Sequence, residues 1–103
     1  MKSYSQDEWK TALQNDKNAE ILDVRSADEY EESHIPGAKL INVQEPQKFM
    51  DQLKAFEKSK HYYVYCNSGN RGNQACLVMD HNGFEHVYNL EGGIQEWDGE
   101  KDS

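Results

Sequence analysis

The sequence predicts an α/β domain in which a mainly parallel sheet carries helices on both faces. Segments with the composition of short buried strands alternate along the chain with segments whose apolar residues recur at helical spacing, as is typical of such sheets. The connections between these segments are too short for a second domain within 103 residues. The longest uninterrupted apolar run, Tyr62–Cys66, is expected to form the central strand.

Capping and turn residues mark the predicted helices. Ser5 with Glu8, and Ser26 with Glu29, have the spacing of a capping box, which opens a helix. Pro46 suits the first turn of a third helix, because an N–H at that position has no partner within the helix. The predicted helices cover approximately residues 6–15, 26–33, 46–56 and 72–82, followed by a helical turn that ends near residue 97.

Strand candidates lie between the helices and are rich in apolar, β-branched and aromatic residues. They cover approximately residues 3–4, 21–24, 40–43, 61–66 and 87–90. Because ligands of parallel sheets bind at the carboxyl ends of the strands, the ends of the second and fourth candidates can meet at one binding rim. The acidic residues 99–103 are expected to form a frayed tail behind a domain that spans residues 1–98.

Composition and charge disfavour several classes of partner and location. Nineteen acidic against eleven basic residues give a formal charge of −8, which argues against nucleic acid and anionic membranes as partners. The N-terminus shows no apolar segment of a signal peptide, and no apolar run approaches the length of a membrane span. With two cysteines, such a chain is expected to hold reduced thiols in the cytoplasm.

The residues after the central strand predict a reactive cysteine. Cys66 ends that strand and is followed, before the next helix, by the loop residues Asn67, Ser68, Gly69, Asn70, Arg71 and Gly72. Such a loop directs backbone N–H groups into a common hollow beside a helix N-terminus, and this setting stabilises the reactive thiolate. The two glycines allow close backbone approach, and the planar guanidinium of Arg71 suits an oxyanion. Pairing with a surface carboxylate is the alternative for Arg71 in a chain with nineteen acidic residues.

Three further residues have candidate supporting roles. Cys76 lies on the apolar stripe of the following helix, so we expect it to pack in the core, with a resolving thiol as the alternative. Asp23 and Arg25 follow the second strand. We interpret them as a carboxylate that accepts loop amides and a cation that pairs with nearby acids such as Glu29. The four histidines have no metal-ligand spacing with the cysteines, so no metal site is predicted.

The cysteine loop resembles the active-site loop of single-domain rhodaneses, a family of sulfurtransferases, and the resemblance extends over nearly the whole chain. Ser33 stands where the family's E-[FY]…GHIPGA signature has glycine, and that signature is otherwise matched by Glu29-Tyr30 and His34–Ala38. The other matching segments are Ile21–Arg25 ahead of the first short helix and the closing motif formed by Gly83-Phe84, Val87 and Leu90–Ile94 with Trp97.

The resemblance implies a single rhodanese-like domain with a five-stranded sheet, and a persulfide mechanism without a metal or organic cofactor. Cys66 would take sulfane sulfur from thiosulfate or a persulfide, hold it as a persulfide, and release it to a thiol, cyanide or a protein acceptor. The loop residues 67–72 would bind the substrate and the persulfide, with Arg71 as the anion anchor.

The loop departs from the family pattern in two places. Asn67 stands where many members carry Arg or Lys, and Gly72 where Ser is common, so Arg71 is the single loop cation. This predicts poor affinity for dianionic thiosulfate and favours a protein or low-molecular-weight persulfide as donor. A persulfide carrier or regulatory binding module with poor turnover is the alternative outside enzymes.

Loop length separates the enzyme alternatives. Four residues stand between Cys66 and Arg71, whereas rhodanese-like phosphatases and arsenate reductases have five between cysteine and arginine. The shorter loop makes a narrower ring, which favours transfer of a single sulfur atom over chemistry on a tetrahedral oxyanion.

Overall fold

Five parallel strands form the sheet of this computed structural model, which describes residues 1–103. In chain order they are β1 (Lys2–Tyr4), β2 (Ala19–Asp23), β3 (Lys39–Leu40), β4 (His61–Tyr65) and β5 (His86–Leu90). Their order across the sheet is β1-β5-β4-β2-β3, and every neighbouring pair is parallel. The predicted α/β class, the parallel sheet and the central place of the most apolar strand are confirmed.

Three of the helices are shorter than predicted, whereas the fourth begins earlier, at Asn70, so that Asn70, Arg71 and Gly72 lie in its first turn and not in a loop before it. The helices are α1 (Gln6–Gln14), α2 (Ala27–Glu32), α3 (Pro46–Leu53) and α4 (Asn70–His81), and a 3₁₀ turn follows at Ile94–Glu96. Both predicted capping boxes are formed, at the starts of α1 and α2. None of these helices combines the length and the apolar character needed to cross a membrane.

Strand β3 ends at Leu40, whereas the predicted strand continued to residue 43, because regular pairing with β2 stops at Leu40. Beyond it, the Ile41 N–H donates to the Asp23 carbonyl at 2.9 Å and the Val43 N–H to the Val24 carbonyl at 3.2 Å. The chain therefore stays attached to the end of β2 without the regular spacing of a strand, and this irregular stretch forms part of the rim of the sheet.

Alternating side chains of β4 enter two different hydrophobic cores. Tyr62 and Val64 pack into a core with residues of α3 and α4, which Cys66 also joins. Tyr63 and Tyr65 lie on the opposite face in a core with the two tryptophans. Burial on both faces explains why this strand is continuously apolar and does not alternate with polar residues.

The last residues contact the turn that follows α2. Asp102 and His34 exchange two backbone hydrogen bonds of 2.8 Å, which form an isolated antiparallel bridge. Lys101 and Ser103 are exposed on either side of this contact. The predicted division into a domain over 1–98 and a tail over 99–103 stays a prediction. The tail is attached by this bridge and by the hydrogen bond from Trp97 Nε1 to the Glu100 carbonyl at 3.1 Å.

Candidate active site

The carboxyl ends of β2 and β4 bring the candidate residues to one edge of the sheet. Asp23 and Tyr65 are register partners at the ends of these two neighbouring strands. Cys66 and Val24 come directly after them, and the Val24 N–H donates to the Tyr65 carbonyl at 3.1 Å. The meeting of the two segments that the sequence suggested is therefore present in the fold.

Cys66 lies at the N-terminus of α4, against the backbone of its own loop. Gly69 is the N-cap residue of this twelve-residue helix and has φ 106°, a conformation that favours glycine. Its N–H donates to Cys66 Sγ at 3.0 Å. A backbone donor at the positive end of a helix favours negative charge that is placed close to it.

Backbone groups provide most of the contacts within the loop. Ser68 and Asn70 are exposed, and Cys66 is only 1% exposed. The Asn67 side chain reaches Gln95 Oε1 at 3.4 Å, outside the loop. No group of three or more His, Cys, Asp or Glu side chains is placed to hold a metal ion. The roles of the loop residues toward a substrate stay predictions.

The residues after β5 fasten the cysteine loop through two backbone hydrogen bonds. The Ile94 N–H donates to the Cys66 carbonyl at 2.9 Å, and the Gln95 N–H donates to the Asn67 carbonyl at 3.1 Å. This contact requires glycine at position 93, because a Cβ there would overlap the Cys66 and Asn67 carbonyl groups. The closing sequence motif therefore has a structural role at the candidate active site, which sequence reasoning did not assign to it.

Asn89 contacts the cysteine loop and explains why position 72 is a glycine. Its buried side chain donates from Nδ2 to the Gly69 carbonyl at 3.2 Å. Its Oδ1 has no hydrogen-bond partner and occupies the space that a Cβ on Gly72 would fill. Sequence reasoning missed this residue. The available signal was a polar side chain between the apolar residues Val87 and Leu90 of a buried strand.

Arg71 is paired with a carboxylate within the site. Its Nη1 and Nη2 donate to the two carboxylate oxygens of Glu29 at 2.6 and 2.9 Å. The hydrogen bonds from Arg71 are the main reason that the pKa of the Glu29 carboxyl falls to about 2, and they also raise the pKa of Arg71. The predicted role of Arg71 as an anion anchor stays a prediction, and Glu29 is a site residue that the sequence reasoning did not include.

Asp23 and Arg25 form a buried ion pair, at 0% and 4% exposure. Arg25 donates from Nε and Nη2 to the two Asp23 oxygens at 2.9 and 2.6 Å. Although burial disfavours its charge, the hydrogen bond to Asp23 raises the pKa of Arg25. Arg25 was expected to pair with a nearby acid such as Glu29, and the acid that it pairs with is Asp23. Residues two apart on an extended segment share a face, so Asp23 is the nearer acid.

This ion pair connects the sheet to the turn after α2. Arg25 Nη2 also donates to the Ser33 carbonyl at 2.6 Å, and the Tyr65 hydroxyl donates to Asp23 Oδ2 at 2.7 Å. The same hydroxyl accepts the Ile35 N–H at 3.0 Å. Asp23 and Arg25 therefore hold together the segments that surround the cysteine loop, which agrees with a supporting role.

Cys76 packs in the core, as expected from its helical position. It is fully buried among residues of the core that contains Cys66, and both cysteines are free thiols. Burial raises the pKa of the Cys76 thiol to about 12. A thiol that is both inaccessible and protonated is a poor nucleophile.

We therefore expect no labelling of Cys76 by a thiol reagent while the protein is folded. In a Cys66→Ser variant at pH 8, intact-mass measurement should show no adduct before unfolding and one adduct in urea. Labelling of the folded variant at the rate of a small-molecule thiol would contradict this and would reopen a role as a resolving thiol.

These features define a parallel α/β domain with a cysteine loop at a helix N-terminus. The family model of the rhodanese-like domain matches residues 5–100, and the chain belongs to that family. A solved structure described as a rhodanese-like domain protein from Staphylococcus aureus superposes with a TM-score of 0.81 at 37% identity. That superposition covers 97% of this chain and 94% of the other.

Two curated relatives come from Bacillus subtilis (strain 168). "Putative sulfur carrier protein YrkF" is 35% identical over 91 residues, which cover 88% of this chain and 48% of the relative. "Putative sulfurtransferase YtwF" is 34% identical over 91 residues, which cover 88% of this chain and 84% of the relative. The chain thus spans about half the length of the first relative and most of the second. A role in sulfur chemistry is common to both names.

Proposed function

We propose that this protein is a rhodanese-type sulfurtransferase that carries sulfane sulfur as a persulfide on Cys66. The observation that supports it best is the contact of Cys66 Sγ with the Gly69 N–H, 3.0 Å away at the N-terminus of α4. This arrangement suits a terminal persulfide anion as well as a thiolate, because both carry one negative charge beside a backbone donor.

The first half of the reaction loads the cysteine. The Cys66 thiolate attacks the terminal sulfur of a persulfide R–S–SH, a new S–S bond forms, and the old one breaks. The thiolate RS⁻ leaves with the electron pair of the broken bond, and Cys66–S–SH remains. With thiosulfate, the thiolate attacks the outer sulfur and sulfite leaves, so Cys66–S–S⁻ remains.

The second half unloads the cysteine. An acceptor thiolate attacks the outer sulfur of the Cys66 persulfide and becomes a persulfide, while Cys66 leaves as the thiolate. Cyanide attacks the same sulfur and leaves as thiocyanate. No metal or organic cofactor takes part in this scheme. A protein persulfide can replace the small-molecule donor, and a protein thiol can replace the small-molecule acceptor. Free thiols suit a reducing compartment, so we place the reaction in the cytoplasm.

A persulfide carrier with poor turnover is the second candidate. Two observations favour it: Cys66 is only 1% exposed, and the single cation of its loop is already paired with Glu29. The name of one relative, "Putative sulfur carrier protein YrkF", agrees with such a role. The carrier and the enzyme share the loading step and differ in the rate of release.

Loading and release are measured separately to test the proposal. The protein is incubated with thiosulfate or glutathione persulfide, and intact mass is expected to show one added sulfur on Cys66. Cyanide or a thiol is then added and release is followed. We expect Cys66→Ser to form no adduct and to show a turnover at least about 10³-fold lower, because no other group replaces the nucleophile.

Cys76→Ala is the matched control, since it removes the other thiol without touching the loop. It is expected to retain both loading and release. An adduct without release would favour the carrier. If no adduct formed and the protein acted on a phosphoester or on arsenate, the sulfurtransferase proposal would be wrong.

A further inference from the structure

We propose that Glu29 determines donor specificity: by neutralising Arg71, it makes the site select alkyl or protein persulfides over thiosulfate. The proposal rests on the sulfurtransferase function proposed above and names the substrate class of the same site. The relevant difference between the donors is their charge. Thiosulfate is a dianion whose leaving group is sulfite, whereas the leaving group of a persulfide is a thiolate without an oxyanion.

The contact between Glu29 and Arg71 occupies the edge of the guanidinium that its two terminal nitrogens form. Both terminal nitrogens of Arg71 donate to the carboxylate, at 2.6 and 2.9 Å. The paired, planar geometry is the one that an oxyanion would otherwise adopt on arginine. A sulfonate group would therefore have to displace Glu29 or bind beside its negative charge.

Glu29 is held in this position by a second set of contacts. As the N3 residue of α2, it accepts the Ser26 N–H at 3.2 Å and the Ser26 hydroxyl at 3.1 Å, both at Oε1. Its side chain is 31% exposed and that of Arg71 is 22% exposed, so the pair is partly sheltered from solvent. Displacing the carboxylate would break the capping box as well as the ion pair.

The remaining donors at the rim carry little free positive charge. Arg25 is buried and paired with Asp23. Asn67, which stands in the loop beside Cys66, is neutral. The loop then offers a ligand its backbone N–H groups, among them the Gly69 N–H that contacts Cys66 Sγ. Such donors suffice for the single negative charge on a persulfide sulfur, but the second charge of thiosulfate has no counter-ion on a chain of net charge −8.

Glu29→Gln is the variant that tests this charge effect with the least structural change. Glutamine at N3 still completes a capping box, and its amide oxygen still accepts from Arg71. We expect kcat/KM for thiosulfate to rise about 10-fold, mainly through a lower KM, because one full positive charge becomes available to a dianion. The persulfide of an uncharged thiol, 2-mercaptoethanol, should change by less than about 2-fold.

Two further readouts separate charge from structure. The gain with thiosulfate should shrink as salt is added, since screening weakens the freed cation. It should also be nearly independent of pH above 4.5. Because the pKa of Glu29 is lowered to about 2, its ion pair forms fully above the ordinary value of 4.5 and is lost only as the pH falls toward 2.

The chain provides a matched control in its other capping box. Glu8 completes the box of α1 with Ser5, as Glu29 does in α2, and forms no salt bridge. Glu8→Gln makes the same change in net charge and in a capping box, but it does not remove the partner of Arg71. It should therefore leave the donor ratio unchanged. In the double variant Glu29→Gln/Arg71→Gln, the thiosulfate gain should disappear, because the cation that produces it is gone.

The outcomes distinguish this inference from the function on which it rests. Loading of Cys66 with an unchanged donor ratio in Glu29→Gln would overturn the specificity role and leave the sulfurtransferase proposal standing. An equal loss with both donors would assign Glu29 a purely structural role, and an equal gain in Glu8→Gln would assign the effect to net charge. Absence of loading by either donor in every variant would overturn both proposals.

Discussion

Replacement of Gly93 by alanine is expected to lower the free energy of unfolding by about 2–5 kcal/mol and to abolish sulfur loading on Cys66. Gly93 has φ 60° and ψ −165°, a region that is nearly closed to residues with a Cβ. An added Cβ would also lie 2.5 Å from the Cys66 carbonyl oxygen and overlap the Asn67 carbonyl. These neighbours are backbone atoms, so no side-chain rotation can relieve the overlap.

The loss of function follows from the position of the overlap. The contacts after Gly93, from Ile94 and Gln95 to the Cys66 and Asn67 carbonyls, hold the cysteine loop against α4. Separating the two segments would move Cys66 Sγ away from the Gly69 N–H. A domain of this size has a total stability of about 5–15 kcal/mol, so the variant could lose a large part of it.

Gly37→Ala is the matched control for the conformational part of this effect. Gly37 also has a positive φ, 84°, but a Cβ there would contact nothing within 4 Å. It should therefore lose only about 1 kcal/mol, the cost of the left-handed backbone. Urea unfolding gives both values, and intact mass gives the loading of the folded fraction. Equal losses in the two variants would show that the overlap at Gly93 relaxes without consequence.

The parts of the fold that were predicted correctly depend on residues close together in sequence. Both capping boxes are fixed by a serine and a glutamate three residues apart, and they form as expected. The loop at Cys66 has its own local signal, since a strand ends at a thiol and glycines follow. The strand order was not predicted, because it depends on pairings between strands far apart in sequence.

The contacts that were not predicted join residues far apart in sequence. Arg71 pairs with Glu29 across 42 positions, and an acidic chain offers each cation many carboxylates. Nothing in the spacing indicates which of them is near. The contact between Asn89 and Gly72 also joins residues far apart in sequence. It could not be predicted because it depends on where the buried Asn89 amide lies relative to the backbone at Gly72.

The local sequence pattern therefore predicts a candidate nucleophile, but it does not predict the ion pairs around that cysteine. Cys66 could be inferred from local pattern, whereas the charge available to a substrate depends on which cations are already paired. Arg71, the predicted anion anchor, forms an ion pair with Glu29, and Arg25, which was expected to pair with a nearby acid such as Glu29, pairs with Asp23. The loop composition alone predicts poor affinity for thiosulfate, and the proposed role of Glu29 in donor specificity adds to this the pairing of Arg71.

Asp23→Asn is expected to lower the free energy of unfolding by about 3–5 kcal/mol, because it leaves the Arg25 guanidinium buried without a counter-ion. Asparagine has nearly the same shape and can still accept from the Tyr65 hydroxyl, so the loss reflects mainly the missing charge. The double variant Asp23→Asn/Arg25→Met should lose much less than the sum of the two single variants, since the uncompensated charge is gone. Urea unfolding of the four proteins gives the coupling free energy directly.

Sulfur loading on Cys66 distinguishes a supporting role of this ion pair from a catalytic one. The Asp23 carboxylate is fully buried and its oxygens are occupied by Arg25 and Tyr65, so it has no access to a substrate. At a temperature where Asp23→Asn is still folded, the loading rate should stay within a few-fold of the wild-type value. If loading were lost in the folded variant, the ion pair would have to act on Cys66 in a way other than by holding the rim together. Additive effects of the two substitutions on stability would contradict the predicted coupling between Asp23 and Arg25.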